Sequence, residues 1–578
     1  MTEPITKKEF LPLLALVIFY AILSFYNLGN TQSPQTPWTE PHAAVFDFGD
    51  IHYISRMQFM IGNRNDVDFM LFTSEDGSDW NFALHVEGFS AFSWDERQIN
   101  TTARFAQIVP FASGLRVQEL AFRNQHNQLI MPAHIFTEGG EVLFDEQHTV
   151  PERAHLLNST YFDEIFHARS GYELLHGLTV FETTHPPMGK NFIAMSAAVF
   201  GMTPFGWRFP GALMGVLMIP LMYAFGRMMF KSPFWGLFTA FIFSFDFMLF
   251  VQTRIATIDS YVTIFVLASY LCMYGYMQHK IPNPRNNPLW KPLLFLAGSG
   301  FFIGLAIASK WQGIYALIGL PILFFPNWYS VLKANKQAAW ITFALCFVFF
   351  IIIPGTIYLL SYIPFVYSMD TGGGFLQTVI DNQISMFSYH SALLEWHPFA
   401  SRWWEWPIIT RPMFYYSNTL SAYPDVRQGI SSFGNPFIWW TGIFATFYAI
   451  SRLFAILKEN GADRPYHADA TQAQQLLANR NDLLFLLVAY AAQFLPWVFV
   501  PRSTFIYHYF PSVPFVVLLV VFMLKNSKFF EKYPKVVLGY AAAVFALFLL
   551  FFPVLSGAPV AFNFVETFLR WFPAWILV

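Results

Sequence analysis

The strongest constraint in this sequence is a series of long apolar stretches. About eleven of them run near residues 10–28, 207–229, 234–252, 257–277, 292–308, 311–328, 337–364, 436–456, 483–500, 509–524 and 535–555. A helix needs about 20 apolar residues to cross the hydrocarbon core of a bilayer, and lipid leaves a single chain few other ways to satisfy its backbone. The expected fold class is therefore a polytopic α-helical membrane protein. Composition agrees: of 578 residues, 55% are hydrophobic and only 12% charged, against about 25% charged in soluble domains. The first stretch lacks a small-residue cleavage site and reads as a retained span. A net charge of −2 gives no surface for nucleic acid. The two cysteines, Cys272 and Cys346, both lie inside apolar runs and organise neither disulfides nor a zinc site.

Lysine placement orients the chain. If the stretches simply alternate across the membrane, 12 of the 14 lysines fall on one side, which the positive-inside rule makes cytoplasmic. The N-terminus is then cytoplasmic in a multi-pass plasma-membrane protein, and Lys190 and Lys310 are the exceptions that face outward. The domain plan is a first transmembrane helix (1–34), an extracytoplasmic β unit (35–150) and a membrane domain (151–578) with outer loops 158–206 and 366–435. Within 42–150 the apolar runs give way to alternation, as in Val45-Phe46-Asp47-Phe48 and Phe82-Ala83-Leu84-His85-Val86, broken by turn clusters such as Ser74-Glu75-Asp76-Gly77-Ser78. This pattern predicts a β-sandwich. The order of its segments resembles a discoidin-like, galactose-binding jelly roll. Such a unit either binds glycan or acceptor, or acts as a packing module, since a fold alone assigns no function.

Chemistry concentrates in the outer loop that reads STYFDEIFHARSGYELLHGLTVFETTHPPMGK. Asp163 and Glu164 are adjacent carboxylates among aromatics and point in different directions on a helix, so they can take separate roles; they also suit a helix start, where the dipole favours negative charge. His185-Pro186-Pro187 reads as a rigid turn feeding a helix, and outward-facing Lys190 follows it. Further along, Arg208, Arg254, Lys310 and Arg502 all sit at outer ends of predicted spans. Charge there is costly unless it has a task or a partner, and four cations on one face favour a shared anion. His155, His167, His176 and His185, spaced 12, 9 and 9 apart, fit no helical metal-ligand pattern, so no metal and no cofactor is expected.

These residues resemble the protein O-mannosyltransferase family, C-type glycosyltransferases that take mannose from a lipid-phosphate carrier. The motif FDE, the downstream THPPMGK, TRIATIDSYV with Arg254 and Asp259, GLAIASKWQGIYA with Lys310, the outer-loop segment HPFASRWWEWPIITRPMFYY, and PRSTFIYHYFPSVPF with Arg502, Tyr507 and His508 follow in the family's order. The resemblance covers roughly 400 residues from 159 onward, and it is of the bacterial or archaeal type. Two departures stand out. The loop 366–435 is too short for the β-trefoil module of eukaryotic members, and the eukaryotic acidic residue two before the HPP histidine is replaced by Thr183, with Glu182 beside it. The resemblance implies an inverting transfer of a sugar, most expectedly mannose, from polyprenyl or dolichyl phosphate to Ser/Thr hydroxyls of secreted or membrane proteins on the outer face. Asp163 would be the base, and Glu164 would orient the site or hold the acceptor backbone. His185, Lys190, Arg208, Arg254, Lys310, Arg502, Tyr507 and His508 would bind donor phosphate or sugar. Partners implied are the lipid-linked donor, the protein acceptor, membrane lipid and the secretion machinery.

Three other readings fit the sequence less well. Relatives that glycosylate lipid A or a cell-wall polymer tend to carry KPP where this chain has Thr184-His185-Pro186-Pro187. A transporter predicts inverted repeats and charges spread through the spans, and neither is seen in the sequence. A non-catalytic adhesion scaffold would leave the FDE motif incidental. The tryptophans Trp396, Trp403, Trp404 and Trp406 read as an interfacial belt in preference to a sugar-stacking platform.

Overall fold

The computed structural model describes residues 6–578 apart from 40–41, 64–65, 112–114, 280–287, 370–371, 393–395, 420–424 and 462–469. Lys280, counted among the cytoplasmic lysines, lies outside the described residues. Among the described residues, ten helices are long and apolar enough to cross a membrane, and one bent pair raises the number to eleven. Each predicted stretch has its counterpart.

The elements that position the site come early. They are α1 (Lys7–Phe25), a β unit, α2 (Glu164–His176), α3 (Met188–Phe200), α4 (Pro204–Phe230), α5 (Pro233–Ser244), α6 (Phe247–Thr253), α7 (Asp259–Gln278) and α8 (Trp290–Ser309). The stretch predicted at 234–252 is not one straight helix: α5 and α6 meet at 60°. Asp246 explains the break. Its carboxylate is fully buried and caps α6, accepting hydrogen bonds from the backbone of Leu249 at 3.3 Å, from Asn435 at 3.2 Å and from the Trp439 indole at 2.9 Å. A buried carboxylate must be satisfied in this way, and the helix yields to it.

α1 is held at both ends. Glu9 accepts hydrogen bonds from Arg227 on α4 at 2.6 Å and from Tyr223 at 2.7 Å. At the other end, Arg254 donates to the carbonyls of Leu23, Ser24, Tyr26 and Asn27 at 2.8–3.2 Å. These carbonyls have no partner inside the helix, and a guanidinium is well shaped to serve several at once.

The β unit is antiparallel. Its strands are β1 (Ala44–Ile61), β2 (Asp66–Ser74), β3 (Asn81–Phe89), β4 (Ser93–Pro110), β5 (Val117–Arg123), β6 (Leu129–Ile130) and β7 (His134–Ile135). They hydrogen-bond in the order β3-β2-β4-β1-β5-β6, with β7 on β1. The expected two-layer sandwich thus takes the form of one connected sheet. The two 18-residue strands, β1 and β4, carry register shifts between Asp47 and His52 and between Ile54 and Arg56 that bend it. Inward residues Phe46, Phe59, Phe69, Leu71, Leu120 and Phe122 form a core of the unit's own. A second cluster joins the unit to the helices: Met60, Phe92 and Trp94 pack with Ala168, Ile193 and Trp207. In the loop 366–435, a helix (Gly374–Ala392) and a hairpin of β8 (Met413–Thr419) and β9 (Val426–Ser432) precede the next span.

Candidate active site

The site is built on the segment that leads into α2. Asn158, Ser159 and Thr160 are buried and tied to the turn between β3 and β4. The Thr160 amide donates to the Phe92 carbonyl at 3.1 Å, the Thr160 hydroxyl donates to the Ala91 carbonyl at 2.7 Å, and the Trp94 amide donates to Ser159 Oγ at 3.0 Å. Phe162 then adopts φ +50°, a left-handed conformation costly for a bulky residue. Its ring packs on Tyr415 at 4.4 Å between centroids. The twist presents Asp163 as the N-cap of α2. Gly177, at φ +63°, ends the helix, and Gly171 lets α3 approach it, since a Cβ there would sit 2.8 Å from Ile193.

The two adjacent carboxylates have different fates. Glu164 is fully buried and takes both arms of Arg208 at 2.7 Å, with further hydrogen bonds from the amides of Ala256 at 3.0 Å and Tyr161 at 3.2 Å. Asp163 has no hydrogen bond to its carboxylate among the described residues. Burial pushes its pKa up to about 7; the nearby Asp259 and Glu182 carboxylates add to this and Lys310 works against it. At neutral pH such a group exchanges protons readily, the property wanted of a general base.

Around Asp163 stand Lys310, Tyr507 and the segment 182–190. Lys310 pairs with Asp259 at 2.7 Å and lies over the Tyr507 ring at 5.6 Å. That pair uses one of its three N–H donors. Arg502 is close enough to act electrostatically on Tyr507, His508 and His390, and among the described residues its guanidinium has no hydrogen-bond or ion-pair partner. It lines a cavity of about 560 Å³ together with Trp403, Trp404, Trp497, Arg402 and Arg411. Glu182 collects Lys190 at 2.7 Å, the Thr184 hydroxyl and His185 Nδ1 at 3.1 Å. Burial opposes its charge, but Lys190 and His185 together, with a smaller share from His167, outweigh burial and hold its carboxyl well below the usual range. His185 keeps Nε2 unbonded among the described residues, and its ring lies 6.1 Å from His167 and 5.3 Å from His390. Burial lowers all three: His167 to about 3, His390 to about 4, and His185 downward despite Glu182. All are neutral at pH 7.

This arrangement of an open base, two available cations and apolar walls suits transfer to a hydroxyl from a phosphate leaving group. The family model described as dolichyl-phosphate-mannose-protein mannosyltransferase matches residues 129–366, and that of the C-terminal four-span region of protein O-mannosyltransferase matches 375–575. The chain belongs to the protein O-mannosyltransferase family. Relatives include the polyprenol-phosphate-mannose–protein mannosyltransferases of Mycobacterium tuberculosis, 25% identical over 504 residues covering 76% of this chain and 87% of the relative, and of Corynebacterium glutamicum, 26% identical over 503 residues covering 76% and 89%. Among solved structures, an S. cerevisiae protein O-mannosyltransferase complex bound to the sugar donor shares the fold, with a TM-score of 0.62 and 15% identity over 72% of this chain and 89% of that one.

Set in this O-mannosyltransferase frame, three cations expected to meet donor phosphate are already committed. Arg208 is fully buried and donates to Glu164 and to the carbonyls of Leu28, Leu156 and Ser159 at 2.7–3.0 Å. Arg254 caps α1. Lys190 spends its donors on the Glu182 carboxylate, the Glu182 carbonyl and the His185 carbonyl. Every N–H of Arg208 and Lys190 is engaged, which leaves nothing for phosphate, contrary to the expectation for these two; Arg254 spends its Nη1 and Nη2 groups on the carbonyls at the end of α1. His508 is also inward: its ring lies tilted against Trp497 at 4.5 Å, and its Nδ1 accepts from the Phe505 amide at 3.0 Å. Trp406 is wholly buried, its indole donating to Ser401 at 3.1 Å, so it is no part of a belt, whereas Trp396 is 81% exposed. Sequence reading passed over Glu182, Asp259 and His390 as site groups. Glu182 carried a usable signal, a carboxylate eight residues before an outward-facing lysine.

Proposed function

We propose that this protein transfers mannose from a polyprenyl-phosphate carrier to serine or threonine hydroxyls of secreted or membrane proteins, on the outer face of the plasma membrane, with its N-terminus in the cytoplasm. The observation that carries the reading is the open, twisted-out carboxylate of Asp163 beside Lys310, in a family whose named members are mannosyltransferases. Asp163 accepts the hydroxyl proton as the oxygen attacks the anomeric carbon from the side opposite the phosphate. The bond from that carbon to the phosphate oxygen breaks, and the phosphate leaves with the electron pair. Lys310 and Arg502 meet the developing charge, where fixed cations lower the barrier most. Tyr507, with its ring between Phe162 and Lys310, forms a wall for the sugar, and His185 offers Nε2 from the other side. Glu164 positions the base through Arg208. The leaving group is a monophosphate, and in this reading the two cations serve it without metal. The β unit is read as a galactose-binding-type jelly roll on the acceptor side.

The test is transfer by the purified protein from polyprenyl-phosphate mannose to a serine peptide, with the anomeric configuration of the product determined by NMR. Inversion relative to the donor is expected. Retention, or hydrolysis of the donor with no peptide product, would overturn the proposal.

A further inference from the structure

The sheet has a free edge that ends at the site. β3 is the terminal strand of the order: it pairs with β2 from Asp66↔Phe89 to Thr73↔Asn81 and, among the described residues, with no strand on its other side. Exposed edges of this length are normally blunted by lysine, proline or a covering element. Here the stretch after the register shift at Leu71/Phe72 reads Leu84-His85-Val86-Glu87-Gly88-Phe89. Glu87 is its one fixed charge, and a Cβ built on Gly88 meets nothing within 4 Å.

The strand runs onto the catalytic loop. The Phe89 ring lies 6.0 Å from Phe166 and 6.4 Å from Phe181, which stack together at 6.4 Å. Phe166 stands three residues after Asp163, less than one helical turn of about 5.4 Å, and Phe181 precedes Glu182. Phe89 is 51% and Phe181 46% exposed, so these rings form an open shelf from the end of β3 toward the base.

We propose that the edge of β3 docks the acceptor polypeptide as an added strand, which the aromatic shelf then directs to Asp163. The proposal rests on the reading above that the acceptor is a protein. An added strand is held by its own backbone N–H and C=O groups, so the edge accepts extended segments of varied sequence. A glycan lacks that alternating donor and acceptor row. Continuity of the edge with the shelf makes an unfolded stretch of secreted chain the fitting occupant, since nine residues of strand give about 30 Å of guidance.

The experiment uses the full-length enzyme in nanodiscs with polyprenyl-phosphate mannose and two peptides sharing one serine, five and twelve residues long. The long peptide should have a KM about tenfold lower, the scale of a few added backbone hydrogen bonds. Methylating alternate backbone nitrogens in its flank should abolish that advantage at every second position and spare it at those between, as the two-residue period of a strand requires. Glu87→Pro, which removes a backbone N–H on the open side of β3 and spares the ladder to β2, should bring the KM ratio of the two peptides to about one. Equal KM values for both peptides in the unaltered enzyme, or a methylation effect without period, would overturn the docking proposal while transfer itself stands. Transfer to neither peptide would overturn the protein-acceptor reading and the docking proposal with it. If Glu87→Pro instead turns an oligomer into a monomer and leaves the ratio unchanged, the edge belongs to a second copy and the proposal falls.

Discussion

At the scale of residues, Asp163 and its neighbours carry opposite expectations. Asp163→Asn removes the base and should lower turnover by about a hundredfold or more, with donor affinity nearly unchanged. The same substitution should raise thermal stability above pH 7. A carboxyl whose folded pKa lies above its unfolded value binds more protons when folded, so it destabilises the fold as pH rises through that window. A variant with normal turnover, or one that melts earlier at pH 8, would contradict the assignment. Turnover of the unaltered enzyme should rise with pH through about 7 and then level off, as a base of this pKa becomes ionised. Among the cations, Lys310→Ala and Arg502→Ala should each raise the donor KM about tenfold, the scale of a charged hydrogen bond. Arg208→Ala should instead cost folding, because the bidentate partner Glu164 would be left buried and charged, at about 3–5 kcal/mol. Expression yield and melting temperature separate these two behaviours from kinetics.

At the scale of elements, the turn between β3 and β4 holds the catalytic segment in place. Thr160→Val removes the hydroxyl that binds the Ala91 carbonyl and leaves that carbonyl unsatisfied, about 1–3 kcal/mol. Because Phe162 is twisted just downstream, the strain has less to hold it, and kcat should fall by more than donor KM changes; hydrogen exchange around 158–163 should quicken. Protection unchanged from the parent would show that the turn only packs. Deletion of the β unit, which a free-standing sandwich would tolerate, should fail to give a folded enzyme, since Phe92 and Trp94 share a core with Trp207. The sequence made the strands and helices visible because alternation and apolar length are local signals. It hid the joins. Glu164 meets Arg208 across 44 residues and His390 reaches the Thr184 carbonyl across 206, and no spacing in the chain announces a partner at such separations. A lone cation in the chain looks the same whether it waits for phosphate or already serves carbonyls and a carboxylate, as Arg208 and Lys190 do.

At the scale of the whole molecule, the spans were legible because lipid demands about 20 apolar residues for each crossing, and the one that broke did so at Asp246, the carboxylate in its middle. A chelator should leave transfer unaltered if Lys310 and Arg502 suffice for the phosphate. Loss of turnover in EDTA, restored by a divalent ion, would require a metal in the reaction. The fastening of α1 bears on how such a chain is made. Its C-terminal carbonyls wait for Arg254, 231 residues beyond Leu23, and Glu9 waits for Arg227, 218 residues on. At about 5–20 residues per second, the ribosome needs roughly ten seconds to most of a minute to deliver those clasps. Through that interval the first helix sits in lipid as a lone anchor ahead of the β unit. Chains stalled before residue 227 should therefore hold α1 loosely and be open to membrane proteases, whereas chains stalled after α7 should resist them.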